Sequence, residues 1–271
     1  MRDDRRDARE PLPDDRDLPL DAAEGGVRPA PGGLAGQTVV VVGGSAGIGL
    51  ETARQVRAAG GEVVLAARSA ERLQQAADEL SPLSTAAFDA LDTDRLEHFL
   101  HDLPGQVDHV LVTAGGPTYT PLADIDLADA GHDFGGRIAM MLAAARASRE
   151  KVRPGGTLLF VGGTGGRQPA VGMAVMGALT AALPALTANL ALEVAPVRVN
   201  LIAAGFVDTP LSAALLGDQL EARREQLRKT LPIGRVVGPA DVAALALHIM
   251  ANSALTGATY DIDGGQQLVA H

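Results

Sequence analysis

Cysteine is absent from the 271-residue chain, which removes disulfides, thiolate nucleophiles and cysteine-held metals. Tryptophan is absent too, and aromatics amount to only 3%, so burial falls to Ala, Val, Leu and Ile. Lysine is scarce: Lys151 and Lys229 stand against 21 arginines. Chemistry that needs a lysine therefore has two places to come from. The net charge of −10 argues against a nucleic-acid surface, which needs clustered cations. No uninterrupted apolar run reaches the roughly 20 residues that span a bilayer, so no membrane partner is expected. The N-terminus alternates Arg and Asp instead of pairing a charged start with an apolar centre, so no signal peptide is read. A cytoplasmic protein without a metal site is the default expectation.

What is present suits one large α/β domain, with 46% hydrophobic residues over a length that buries a sizeable core. Residues 1–34 repeat Asp, Arg and Pro with few apolar residues and no period, and are expected to form a disordered or loosely attached tail. From there residues 35–271 alternate strand-like and helix-like segments. Strands are expected at 38–42, 62–66, 84–88, 107–113, 157–161, 198–202 and 259–262. Helices are expected near 47–59, 69–80 (with Ser69 as cap), 93–103, 134–152, 172–194, 211–231 and 240–251. Several strands are continuous apolar runs, the pattern of a parallel sheet covered on both faces.

The stretch Gly43-Gly44-Ser45-Ala46-Gly47-Ile48-Gly49 admits two readings. Its first five residues spell G-x-S-x-G, the strained turn that presents a hydrolase serine. Here, however, the turn follows the first strand, and the later histidines are few and poorly placed to complete a triad. Gly49 has no task in such an elbow. In a nucleotide-binding turn each glycine has one: the tight turn, the approach of backbone to phosphate, and the packing of helix on strand. The nucleotide reading is preferred.

With these residues in view, the chain resembles the short-chain dehydrogenase/reductase family from about Leu34 to Val269. Val42-Gly43-Gly44-Ser45-Ala46-Gly47-Ile48-Gly49 is similar to the family's T-G-x-x-x-G-I-G, and Val112-Thr113-Ala114-Gly115 stands where it writes N-N-A-G. Asp89, with Ala90 beside it, matches the aspartate that contacts adenine. Arg198-Val199-Asn200 through Gly205-Phe206-Val207-Asp208-Thr209 is similar to R-V-N-x-I-x-P-G-x-V-x-T, with Ala204 for proline. Val207 and Thr209 fall where members bind the nicotinamide carboxamide. Thr256-Gly257 and Asp263-Gly264-Gly265 match the closing motifs. The resemblance implies a single-domain Rossmann fold, a doubly wound sheet of seven parallel strands with helices on both faces. It also implies a homodimer or homotetramer, for which the apolar segment Val175–Ala191 would supply a buried face.

At the end of the second strand, where a carboxylate would favour NAD, the chain has Ala67-Arg68. A guanidinium there can hold a 2′-phosphate, with Ser45 adding a hydroxyl, so NADP(H) is the expected cofactor and NAD(H) the less favoured one. The family's catalytic positions read differently. Gly163 stands at the serine, Met176 at the tyrosine, Thr180 at the lysine and Arg137 near the asparagine. Thr164, Tyr119 and Arg137 remain as candidate catalytic groups. Each also has a plainer reading, as helix cap, surface residue and ion pair respectively. Two functions follow: an atypical NADP(H)-dependent enzyme acting on a small-molecule carbonyl, imine or enone, or a catalytically silent nucleotide-binding protein acting as sensor or partner.

Overall fold

The computed structural model describes residues 33–269. Seven strands form one parallel sheet: β1 (Thr38–Val42), β2 (Glu62–Ala67), β3 (Ser84–Ala87), β4 (Val107–Val112), β5 (Val152–Gly163), β6 (Arg198–Ala204) and β7 (Thr259–Ile262). Their order is β3-β2-β1-β4-β5-β6-β7. The chain winds outward from β1 to β3, then returns to pair β4 with β1's other edge. That reversal opens a crevice at the carboxyl ends of β1 and β4, where doubly wound folds bind their ligands.

The helices divide by face. Alternate residues of each strand point to opposite sides. Val40, Val42, Val110, Leu158 and Val199 meet α3 (Thr93–His101), α4 (Leu127–Lys151) and α5 (Ala174–Glu193). Val39, Val41, Leu111, Leu159 and Ile202 meet α1 (Gly47–Ala58), α2 (Ala70–Leu80) and α8 (Pro239–Ala251). Two further helices, α6 (Pro210–Leu216) and α7 (Leu220–Thr230), follow β6. Ser69 caps α2 as expected, its hydroxyl accepting from Arg72 N.

Several boundaries differ from the sequence reading. The helix expected from 134 begins at Leu127, because the Asp126 carboxylate caps it by accepting from Ala128 N and Asp129 N at 2.8 and 3.0 Å. The segment expected as one helix over 211–231 is two, broken at Gly217, whose φ of +49° no helix interior accommodates. The tail expected over residues 1–34 lies outside the described residues except for its end, where Leu34 is 1% exposed and packs into the core. No uninterrupted apolar run of about 20 residues is present, but α5 is long and apolar enough to cross a membrane by length and composition alone. Thr180, Pro184, Thr187 and Asn189 interrupt its apolar run. Within the fold one face of α5 lies on the sheet, with Met176, Leu179, Leu183 and Leu190 buried.

Polar groups line the opposite end of the sheet from the crevice. The Arg198 side chain donates to the carbonyls of Gly155, Ile249, Met250, Asn252 and Leu255 at 2.8–3.0 Å. Asn200 donates to Leu255 O and accepts from Ala258 N. The R-V-N motif thus ties β6 to the end of α8 and to the turn before β7. On β4, His109 is buried with Nε2 2.7 Å from Gln37 Oε1. Burial first, then the nearby charges of Arg198 and Arg153, push its pKa down to about 3.

An unfolded histidine titrates near 6.5, so between about pH 6.5 and 3 the unfolded chain binds one proton more than the fold does. The stability conferred by neutral His109 is complete above that window and is lost as pH falls through it. His109→Gln keeps an amide partner for Gln37 and removes the titration. Its unfolding free energy, from urea denaturation between pH 6 and 4, is expected to fall less steeply than wild type, by about 1.4 kcal/mol per pH unit. Equal slopes would show that His109 protonates without opening the fold.

Candidate active site

The crevice begins with the glycine turn. Gly43 has φ +98°, and a Cβ there would stand 2.4 Å from Thr113 Oγ1. A Cβ on Gly49 would stand 2.2 Å from the carbonyl oxygen of Gly43. Only glycine lets β1, the turn and α1 approach so closely. The Thr113 hydroxyl reaches the Val42 and Gly43 carbonyls at 3.3 Å. The residue that departs from the family's asparagine therefore holds the turn, a role the sequence reading did not assign. Helix α1 starts at Ala46 with no side-chain cap and no acid in its first turn. Its leading N–H groups, the positive end of the helix dipole, suit an anion. Thr209 faces the same turn, its side chain 3.5 Å from where a Cβ of Gly47 would lie.

At the end of β2, Arg68 is exposed and stands 3.9 Å from the Asp89 carboxylate. So long a surface pair contributes little, which leaves the guanidinium able to turn toward an added phosphate. Asp89 also accepts from Leu91 N at 3.0 Å, and Ala90 is buried beside it.

A cavity of about 880 Å³ opens at the carboxyl ends of β4, β5 and β6 and is bordered by α6. It brings together the sequence-named residues Ile48, Ala114, Gly115, Gly205, Val207 and Thr209. Gly163, Met176 and Thr180 share its wall with Thr164, Tyr119 and Arg137. A Cβ on Gly163 would meet nothing nearer than 3.7 Å, so the position has room for a side chain. The Thr180 hydroxyl donates back to Met176 O at 2.8 Å. Four of the six methionines line this cavity. Neither lysine does: Lys151 donates to His101 O and Lys229 pairs with Glu225.

The three catalytic candidates differ in how they are held. Arg137 pairs with Asp133 at 2.9 Å and donates to Gly116 O, bracing the loop that carries Tyr119. Thr164 is buried and does not use its hydroxyl as the cap of the short 3-10 turn that follows it. Tyr119 is partly exposed, and burial of its phenol raises its pKa. It stays protonated at neutral pH.

Beneath the cavity, the Asp263-Gly264-Gly265 turn supports the end of β6. A Cβ on Gly205 would lie 2.6 Å from Asp263 Cβ, and Phe206 N donates to Gln266 Oε1 at 2.9 Å. Burial acts to raise the Asp263 pKa, but donors from Gln267, Gly265 and Gln266 outweigh it and hold the carboxyl below its usual range. Asp208 takes a two-bond contact from Arg224 at 2.7 and 2.9 Å, fastening α7 to the segment that follows β6. Gln266 and the Asp208–Arg224 pair were missed in the sequence, because each acts across a separation of 16 or 60 residues.

A family model described as enoyl-(acyl carrier protein) reductase matches residues 42–267. The short-chain dehydrogenase/reductase malC of Malbranchea aurantiaca is 27% identical over 253 residues, covering 87% of this chain and 96% of that one. An uncharacterised oxidoreductase of Mycobacterium tuberculosis is 33% identical over 244 residues, covering 84% and 91%. Among solved structures, the MalC reductase/Diels–Alderase from Malbranchea aurantiaca superposes with a TM-score of 0.80 at 26% identity, covering 87% and 98%. A small-chain dehydrogenase in complex with NADPH gives 0.73 at 28% identity, covering 86% and 99%.

The glycine turn generates a test that needs no ligand. Gly49→Ala forces a methyl against a backbone oxygen and is expected to destabilise the fold by about 1–3 kcal/mol in urea unfolding. Gly131→Ala, in α4 where an added Cβ meets nothing within 4 Å, is expected to be neutral or to stabilise by up to about 1 kcal/mol. Equal effects of the two substitutions would contradict the close approach.

Proposed function

The chain belongs to the short-chain dehydrogenase/reductase family, and on that premise we propose that this oxidoreductase uses NADP(H) and reduces an acceptor that requires no tyrosine-type acid. The observation that carries this reading is the cavity wall itself. Gly163, Met176 and Thr180 occupy the end of β5 and the start of α5, and they share the cavity with Gly205, Val207 and Thr209, the residues expected near a nicotinamide.

The residues present fit the cofactor. The uncapped start of α1 and the Gly43–Gly49 turn would hold the pyrophosphate. Arg68 and Ser45 would meet the 2′-phosphate, Asp89 the adenine, and Val207 and Thr209 the carboxamide. Bound NADPH supplies a hydride. The protein's share is to orient the acceptor and to provide a proton where one is needed. Met176 has no transferable proton, and Thr180 spends its hydroxyl on the helix backbone. Tyr119 Oη and Thr164 Oγ1 are the candidate donors, the phenol protonated at neutral pH. An iminium or an activated enone needs little from either.

A second reading draws on the same wall: a protein that binds nucleotide or an olefinic ligand without consuming NADPH. One structural relative is itself a reductase/Diels–Alderase, and a largely apolar chamber with Gly163, Met176 and Thr180 on its wall would suit chemistry directed by shape. Product formation without NADPH oxidation would favour that reading.

Three outcomes test the proposal. NADPH is expected to bind more tightly than NADH, and Arg68→Asp to abolish that preference at a cost of roughly 1.5–3 kcal/mol; equal affinities in the unaltered protein overturn NADP(H) specificity. Simple ketones are expected to be reduced slowly, and Met176→Tyr with Thr180→Lys to raise that rate by about 10²–10⁴. Wild-type turnover near 10 per second would mean that an acid is already present, and Tyr119→Phe or Thr164→Val then identifies it. Finally, α5 leaves Ala174, Ala178, Ala181, Ala185 and Leu192 on its outer face, an apolar surface suited to a second copy. Light scattering at micromolar concentration is expected to give a multiple of 27.8 kDa; the monomer mass refutes the assembly.

A further inference from the structure

The α6–α7 side of the cavity carries a feature that neither the family resemblance nor the nucleotide site explains. Arg223, on α7, lines the cavity with its guanidinium carbon 6.0 Å from the centre of the Phe206 ring. Its described hydrogen-bond partner is the neutral amide of Gln226, at 2.8 Å. The neighbouring arginines are fully engaged: Arg224 by Asp208 and Glu221, Arg228 by Glu221 and Glu225. Among the described ion pairs none involves Arg223, although it sits in a helix with two glutamates. Only Arg137 and Arg223 bring formal charge to the wall, and no carboxylate lines it. Arg137 is neutralised by Asp133. In a chain of net charge −10, the largest described cavity thus carries one uncompensated positive charge. Apart from Thr209, Ser212 and Gln266, the rest of that side is apolar, with Leu211, Leu215 and Leu216 from α6, and Met140, Met173 and Met176 line the same cavity.

Such a guanidinium, placed over an aromatic ring beside aliphatic side chains, suits a ligand with an apolar body and a single anionic end. The cofactor's phosphates do not account for it, since their cradle on this reading is the α1 turn, with Arg68 and Ser45 for the 2′-phosphate. We propose that Arg223 is a specificity-determining residue that binds the carboxylate or comparable anion of a hydrophobic substrate, whose body lies along the methionine- and leucine-lined wall. This rests on the reading of the cavity as the substrate site, and its test separates the two.

The probes are octanoate, decanoate and 2-naphthoate, each with its uncharged methyl ester, titrated calorimetrically into the full chain with and without saturating NADP⁺. At least one acid is expected to bind ten-fold or more tightly than its ester, with the advantage shrinking at high salt. Arg223→Met is expected to remove that advantage and leave both ester affinity and NADP⁺ affinity unchanged, while Arg223→Lys restores part of it. Acids and esters that bind equally, or no binding of any probe alongside normal NADP⁺ binding, overturn the proposal and leave the cofactor reading standing. A loss of NADP⁺ affinity in Arg223→Met, with acid binding unchanged, also overturns it and assigns the residue to the cofactor. Arg223-dependent acid binding without any NADP⁺ binding supports the proposal and overturns the cofactor reading.

Discussion

The buried guanidinium of Arg198 fixes the strand on which the rest of the site depends. Removing a charge from water without a carboxylate partner is costly, and here five backbone carbonyls offset that cost. Several belong to the end of α8, where the helix dipole is negative. A lysine could not serve, because a single ammonium cannot span acceptors from Gly155 on one side to Leu255 on the other. With its first residues stapled in this way, β6 has no freedom to slip by one residue, a slip that would exchange the side chains of its two buried faces. Its far end is therefore delivered at a fixed place, and there Gly205, Phe206, Val207 and Thr209 border the cavity. The Asp263 turn locks the same segment from below.

Capping shows where local stability yields to binding. Helices α2, α3, α4 and α6 begin with side-chain caps from Ser69, Asp92, Asp126 and Thr209. Helix α1 begins at Ala46 without one, forgoing roughly 0.5–2 kcal/mol. A capping carboxylate or hydroxyl would occupy the N–H groups that a phosphate needs. Helix α5 also starts uncapped where it borders the cavity. The same crevice requires Gly43 and Gly49 to give up side chains so that strand and helix can touch.

The fold was legible because its signals are local. Several strands, β1, β2 and β4 among them, are short and largely apolar, and glycine or proline marks many of the turns. The glycine turn between β1 and α1 was legible for the same reason, since its seven residues are contiguous. The beginning of α4 was obscured by Gly131, Gly135 and Gly136, which weaken a helical pattern that the Asp126 cap and tertiary packing restore. The bracing of Gly116 by Arg137 spans 21 residues, and no period in the sequence points across such a gap. Arg223 was hidden differently. In sequence it is one of three arginines in a charged helix, and only the fold separates it from its paired neighbours.

The character of the cavity constrains the chemistry further. Hydride addition to a neutral carbonyl creates an alkoxide. The apolar wall around Gly163 and Met176 penalises that oxyanion by several kcal/mol unless Tyr119 or Thr164 donates to it, which is the disadvantage that an acid normally removes. Hydride addition to an iminium works the other way, because a positive charge disappears in the step, and a low-dielectric wall of methionine and leucine favours its loss. Yet a lone cation would not enter a cavity that has no carboxylate and already contains an arginine. An acceptor that brings its own anion resolves the conflict: the anion pairs with Arg223 while the cationic carbon lies nearer the wall formed by Gly163 and Met176. The two proposals are coupled through this balance of charge. A neutral enone with an anionic tail satisfies it equally, since its charge is held at Arg223 while the reacting carbon stays within the apolar part of the wall.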